Sequence, residues 1–340
     1  METYTVYRLT FKRQLHLGRT TGPAQEGSLG LERTEIHIPA DTLFSAICQM
    51  WTTFYNTESL TDFLSPYTVE GKLLPFTLTS AFPFAHDVYF YPKPLTFHNP
   101  SKKSKRVQFV SNDIFQSIIS DNTPEFKDNQ VINGEKVWIS PEEKNKLIEV
   151  MDNTPSVWKT DTRPRVRIGS QNAGSHIWHV ETVQFNNNCG LWFAARFDTK
   201  EIQQEFETLL EVLGDTGIGG ERNAGYGLFD IKIENNYVLP NVENANRFVT
   251  LSRICPKSKE QLEQLQTGSI AYTLNKVNAP DNFAPKQVHR KQVYMFAEGS
   301  VLNKSEKLIG QLVNLRLNND SQPVYRYGYA WQIGIKGTKQ

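Results

Sequence analysis

Long apolar runs are missing from this chain. Nowhere do its 340 residues approach the eighteen consecutive apolar positions that a membrane span needs. The opening stretch "METYTVYRLTFKRQ" has no apolar signal core either. Cysteine is scarce. Cys48, Cys189 and Cys255 are odd in number and far apart, which argues against a disulfide framework and fits a reducing cytoplasm. An excess of one charge is also lacking: 37 basic against 36 acidic residues leave a net charge of +1. A general polyanion-binding coat is thereby excluded, and any nucleic-acid site must be a local patch. With 39% hydrophobic and 21% charged residues, the composition is that of a soluble globular protein, long enough for two modest cores.

Tyr7, Leu9, Phe11, Leu15 and Leu17 share one parity, and Arg8, Thr10, Lys12, Gln14 and His16 the other. This alternation predicts a half-buried strand, with His16 away from the core face and Arg13 marking a bulge or the strand's end. "PADTLFSAICQMWTTF" follows, with Leu43, Phe44, Ile47, Met50, Trp51 and Phe54 on one helical stripe and Asp41 as its expected N-cap. Residues 75–97 are aromatic and proline-rich, a pattern of short strands joined by turns. From about Asn99 to Thr160 the chain turns polar, as in "SKKSKR" and "SPEEKNK", and reads as an insertion with mobile parts. "PRVRIG", "HVETVQF" and "GLWFAARF" are strand-like. "DTKEIQQEFETLLEVLG" carries an apolar helical stripe, with Asp198 and Glu201 resembling a capping box and Gly214 placed as the C-cap. Phe229, Ile231 and Ile233 then alternate as a strand.

The first 235 residues thus follow the β-α-β-β-α-β order of a ferredoxin-like fold. A similar order recurs less completely after Asn246, without an obvious second helix. The expected class is α+β: tandem ferredoxin-like (RRM-like) domains over 1–236 and 237–340. The first carries a large insertion at about 98–175.

Six glycines fall between residues 214 and 227, in "GDTGIGGERNAGYGLF". A phosphate-cradling loop follows a strand and opens a helix, whereas this one follows a helix and enters a strand. It lacks G-x-x-x-x-G-K-[ST], and Arg222 stands where the G-x-G-x-x-G frame needs its last glycine. A nucleoside-triphosphate site is a poor reading. Two readings remain. The loop can offer free amides and Arg222 to a phosphate strand, with Tyr226 stacking on a base. Alternatively, its glycines only make a tight corner, with Arg222 paired to Glu221 or Asp215. Arg163, Arg165 and Arg167 recur at period two, hence on one face of a strand, opposed by Asp161. A charge-blunted edge strand is the alternative there. His176 and His179 flank Trp178 but have no strand-compatible zinc geometry, and no paired acids form a two-metal motif, so no metal is expected.

"LLEVLGDTGIGGERNAGYGLFDI" resembles the glycine-rich signature of the RAMP superfamily of CRISPR-associated proteins. With "PADTLFSAIC", "SAFPFAHDVYFYPKPL", "KQVYMFAEGSVL" and "YRYGYAWQIGI", in that order, the chain is similar to the Csm-series RAMP subunit of type III-A effector complexes. That subunit caps the 5′ end of the CRISPR RNA (crRNA). The resemblance implies a non-catalytic antiviral-defence subunit without cofactors, whose partners are the crRNA 5′ handle, the large polymerase/cyclase-like subunit and an adjacent backbone RAMP subunit. It places Gly217, Gly219, Gly220, Arg222, Asn223, Gly225, Tyr226 and Gly227 on the RNA, and in that context His16, Arg163, Arg165 and Arg167 join them. It also implies a thumb hairpin somewhere within residues 98–180. Because some related RAMP proteins are metal-independent endoribonucleases with a catalytic histidine, His16 is the residue on which that alternative would rest.

Overall fold

The computed structural model describes residues 3–18, 31–69, 72, 74–151, 155–167, 176–268, 270–277, 280–281, 288–289, 291–306, 308–316 and 324–337. The alternating N-terminal segment forms β1 (Tyr4–Phe11), followed by α1 (Ala40–Phe54) and α2 (Thr57–Thr68). The aromatic stretch becomes β2 (Phe76–Leu78), β3 (Phe82–Ala85) and β4 (Val88–Pro92). Next come α3 (Lys102–Arg106), β5 (Phe109–Ser111), α4 (Asn112–Ile119), β6 (Val131–Ile132), β7 (Val137–Trp138) and α5 (Pro141–Val150). A long hairpin of β8 (Trp158–Arg167) and β9 (His176–Phe185) precedes β10 (Cys189–Phe197), α6 (Lys200–Thr216) and β11 (Phe229–Tyr237).

These strands join in one sheet of order β11-β1-β10-β3-β4-β5-β7-β6, with β2 also pairing β10, while β8 and β9 form a separate ribbon that bridges to Leu15 through Val183. β1 sits between β10 and β11, antiparallel to both. One face of the sheet buries Tyr7, Leu9, Leu191 and Phe193 under the stripes of α1 and α6. The opposite face is covered as well: Val6, Trp192 and Ala194 join a core with Phe115, Val249, Val301 and Ile333. Both parities of β1 are therefore buried, and alternation does not mark an open face here.

The second half is built from β12 (Arg247–Thr250), α7 (Lys259–Leu265), β13 (Leu274–Val277), β14 (Pro280–Asp281), β15 (Val288–His289), β16 (Val293–Phe296), β17 (Val301–Asn303), β18 (Gly310–Asn314), β19 (Tyr325–Tyr329) and β20 (Gln332–Ile335). β12 lies between β17 and β20, and β13–β16 and β18–β19 form separate ribbons. Tyr327 and Tyr329 of β19 pack into the α1 core.

Several local expectations change. Asp41 does not cap α1; the N-cap is Pro39, and Asp41 is buried and ion-paired to Arg326 and Arg253. The cap of α6 is Thr199, whose hydroxyl accepts from the Ile202 amide at 3.3 Å, not Asp198. Gly214 lies inside α6, where a Cβ would come within 2.6 Å of the Phe229 carbonyl, and the C-cap is Gly217, with a positive φ but an extended ψ. The polar stretch from 99 to 160 is not a loose insertion over its described residues. Phe109, Val110, Ile114, Phe115, Ile119, Trp138 and Leu147 are all buried in the main core. Each fully buried side chain of this size contributes roughly 1.5–3 kcal/mol, so the segment is part of the fold's foundation.

Candidate nucleic-acid interface

The glycine loop begins where α6 stops. Gly217 turns the chain with φ 81°, its amide closing on the Leu213 carbonyl at 2.7 Å. The loop then lies across the segment that follows β1. Gly220 N–H donates to His16 O at 2.9 Å, Gly227 N–H to Gln14 O at 2.9 Å, and Ile218 N–H to Gly227 O at 3.0 Å. A Cβ at Gly219 would stand 2.3 Å from the His16 carbonyl, and one at Gly227 2.0 Å from that of Ile218. The bare main chain is thus required by close contact with protein, and several amides expected to be free are engaged within the chain. Those of Gly219 and Glu221 have no acceptor among the described residues.

At the apex, Glu221 adopts a left-handed φ of 57° and leads into a short 3₁₀ turn, Arg222–Ala224. Arg222 and Asn223 are exposed. Among the described residues Arg222 has no ion-pair partner, so the expected alternative of pairing to Glu221 or Asp215 is not realised. Asp215 lies 3.9 Å from Lys12, and Glu221 lies 4.0 Å from Arg165. Gly225 passes close to Arg13, with a Cβ there 3.7 Å from its Nη1. Arg13 is exposed and also unpaired among the described residues. Its role was not legible from its position at a strand end.

Tyr226 is only 8% exposed, so its ring is not open for stacking as expected. It is covered by the hairpin: Arg165 Nη2 donates to Tyr226 Oη at 3.1 Å, and the guanidinium lies 5.6 Å from the ring centre. This contact docks β8 onto the glycine loop. Arg163 is exposed and bonded to Asp161 at 2.7 Å, and that bond raises the basicity of the guanidinium. The Arg167 backbone pairs with His176 at the far end of the hairpin, and its side chain lies outside the described residues. His176 and His179 are three apart in a strand, which sets their positions on opposite faces.

His16 departs most from expectation. It is 1% exposed, beneath the loop, with Gly220 so close that a Cβ there would fall 2.9 Å from the ring's Cδ2. Nδ1 lies 2.7 Å from the Glu181 carbonyl, which can only accept. The ring therefore carries a proton on Nδ1. Nε2 is buried without a partner among the described residues. A general base must reach the proton it abstracts, and this nitrogen is sealed behind backbone.

The candidate interface gathers Arg13, Arg222, Arg165 and Arg163 on and around a loop bonded to the segment after β1. That suits a phosphate backbone held by forked, charge-assisted bonds. The loop runs from α6 into β11, the edge strand beside β1 and β10. The chain belongs to the RAMP superfamily, whose sequence profile matches residues 9–230. Residues 243–335 match the CRISPR Csm4 C-terminal domain, so the resemblance holds over both halves.

The "CRISPR system Cms protein Csm4" of Streptococcus thermophilus is 24% identical over 329 residues, covering 92% of this chain and 93% of the relative. The protein of that name from Mycobacterium tuberculosis is 24% identical over 314 residues, covering 88% and 91%. Among solved structures, a chain of a Csm3–Csm4 subcomplex of the type III-A CRISPR-Cas interference complex superposes with a TM-score of 0.69 at 18% identity, over 99% of this chain and 100% of that one. A chain of a Csm1–Csm4 cassette in complex with cA4 gives 0.59 at 17%, over all of both. These structures share the fold.

Proposed function

We propose that this chain is the non-catalytic subunit of a type III-A Csm complex that grips the repeat-derived 5′ handle of the crRNA and takes part in assembly. The observation that carries the reading is Arg222. It is an exposed guanidinium without an ion-pair partner among the described residues, at the apex of a loop whose own bonds hold it in place, and Arg13, likewise unpaired among them, approaches Gly225 of the same loop. Arg222, Asn223 and the open amides of Gly219 and Glu221 meet the RNA. Gly217, Gly220, Gly225 and Gly227 shape the loop, and Tyr226 seats Arg165. His16 serves by holding the loop from beneath. Arg163, Arg165 and Arg167 extend the path along the hairpin.

The first domain, residues 1–236, is ferredoxin-like: β11-β1-β10-β2/β3 is that fold's 4-1-3-2 strand order, with α1 and α6 on one face. Residues 237–340 form a second, reduced copy, in which β12 again stands between its neighbours. Within the insertion at 98–175, the thumb is the β8–β9 hairpin, which continues to Phe185 and whose outer positions Val166 and Ile177 are 55% and 67% exposed. The partners are a backbone RAMP subunit and a large subunit. This rests on the relatives having been solved as Csm3–Csm4 and Csm1–Csm4 assemblies. The assembly works in the cytoplasm; among the described residues no helix is long and apolar enough to cross a membrane.

The test is recovery of guide RNA with affinity-purified complex. Arg13→Ala with Arg222→Ala should lower it about tenfold or more, the loss of charge-assisted contacts, while the chain stays folded. Undiminished recovery would refute the reading.

A further inference from the structure

At the seam between the two halves lies a cleft of about 220 Å³, lined by no residue of the glycine loop. One wall is α4. Its Asn112 and Gln116 also line a groove with Tyr4 and Tyr237, which are the ends of β1 and β11 farthest from that loop. The floor of the cleft is apolar, made by Phe97, Ile118, Val301 and Ile335, and its rim carries Arg247, Lys336, His98 and Asp121.

Arg247 opens β12 directly across from Ile335 and Asn303. Two residues on, Val249 packs into the core between the halves. The same strand face therefore carries a core valine and, at the mouth of the seam, a guanidinium. Arg247 is half-buried, with its guanidinium 3.4 Å from where a Cβ on Gly337 would stand. Among the described residues it has no ion-pair partner, and neither has Lys336. Asp121, the one acid on the rim, lies beyond ion-pair distance of both. Other cations of this chain do find acids: Arg106 with Glu135 at 2.7 Å, Lys257 with Glu306 at 3.1 Å. Half-burying a guanidinium with no counter-charge among the described residues costs desolvation without return, and an anion from outside would offset that cost.

We infer that this cleft binds a phosphate group. Its volume is below the ~300–1,000 Å³ of ordinary ligand pockets, so it takes one group of a ligand rather than a whole one. A forked guanidinium beside a point ammonium, with the Thr96 and Thr123 hydroxyls and His98 around them, offers more donors than one carboxylate can use. The phosphate belongs either to a free nucleotide or to a polynucleotide backbone.

Equilibrium dialysis of the full chain with labelled AMP and with inorganic phosphate, beside anisotropy with a single-stranded oligouridylate, tests this. Wild type should bind AMP or phosphate, and Arg247→Gln should weaken it about tenfold, with Lys336→Gln weakening it less. The same loss on Arg247→Gln should appear in an Arg13→Ala, Arg222→Ala background, which separates this site from the glycine loop. Oligouridylate weakened by Arg247→Gln assigns the phosphate to a polynucleotide; oligouridylate unaffected assigns it to a nucleotide. Lys336 is exposed, so its variant still reports if Arg247→Gln fails to fold. No phosphate binding by wild type, binding that survives both substitutions, or tighter binding of succinate than of phosphate would overturn the inference.

Discussion

Arg222 and Gly227 stand five residues apart and meet opposite demands. The Arg222 side chain is exposed and has no ion-pair partner among the described residues, so its removal should spare the fold. In the assembled complex, Arg222→Ala should flatten the salt dependence of guide binding by about 0.7 in the log–log slope, the value for one single-strand phosphate contact. An unchanged slope, measured by filter binding at several salt concentrations, would take Arg222 off the RNA path. Gly227 lies where a side chain would collide with the Ile218 carbonyl, at φ 74°. Gly227→Ala should cost at least about 1–3 kcal/mol, read as a lower urea midpoint of the chain alone. These two residues were legible in the sequence as a glycine-rich loop with one arginine, but which glycines serve protein contact was not. His16 shows why. β1 ends at Phe11 and the chain bends at Lys12 and Arg13, so the strand parity that set His16 away from the core does not reach it, and the loop that covers it, at Gly219 and Gly220, lies far along the chain.

The elements of the first half were legible wherever periodicity was long. α1 and α6 carry stripes over 15 and 17 residues and were found; α2, which carries Pro66 in its last turn, was not anticipated. α4 has only eight residues, with Ile114, Phe115, Ile118 and Ile119 buried, and the polar runs around it masked a core element. The β8–β9 hairpin behaves differently: its distal apolar positions face outward, and its attachment to the loop runs through Arg165 and Tyr226. Val166→Thr with Ile177→Thr should therefore change stability by no more than about 0.5 kcal/mol. In the complex, the same pair of changes should lower the chemical reactivity of a guide nucleotide displaced by the thumb. An identical probing pattern in wild type and variant would deny the hairpin that role.

At the scale of the molecule, the two halves are joined by buried charge. Asp41 of α1 meets Arg326 of β19 and Arg253, 3.6 Å away. Arg253 lies 3.5 Å from Glu298, and Glu298 accepts from Ser80 Oγ at 2.6 Å with His37 at 3.6 Å. Burial alone would raise the Glu298 carboxyl. Arg253, with His37 and Ser80, outweighs it and holds the group far below its ordinary range. A carboxyl lowered by folding adds stability that is present above its unfolded value of about 4.3 and is lost as pH falls through the folded value. Glu298→Gln leaves Arg253 short of a counter-charge and should cost about 3–5 kcal/mol at neutral pH. The variant's denaturation midpoint should also fall less than that of wild type between pH 5 and 3, a window of roughly the ordinary carboxyl range. Parallel pH profiles would show that Glu298 is not the group concerned. No short-range pattern announces this network, since its members come from five separated segments.

β1 is made well before its neighbours, yet it lies inside the sheet, flanked by β10 and by β11, which ends at Tyr237. On the ribosome, its backbone must therefore wait, both edges unsatisfied, until nearly the whole first half has emerged. Slow synthesis between Phe11 and Cys189 would prolong that wait, so the tempo of translation, and any chaperone that shields an early strand, bears directly on how much of this subunit reaches its native form.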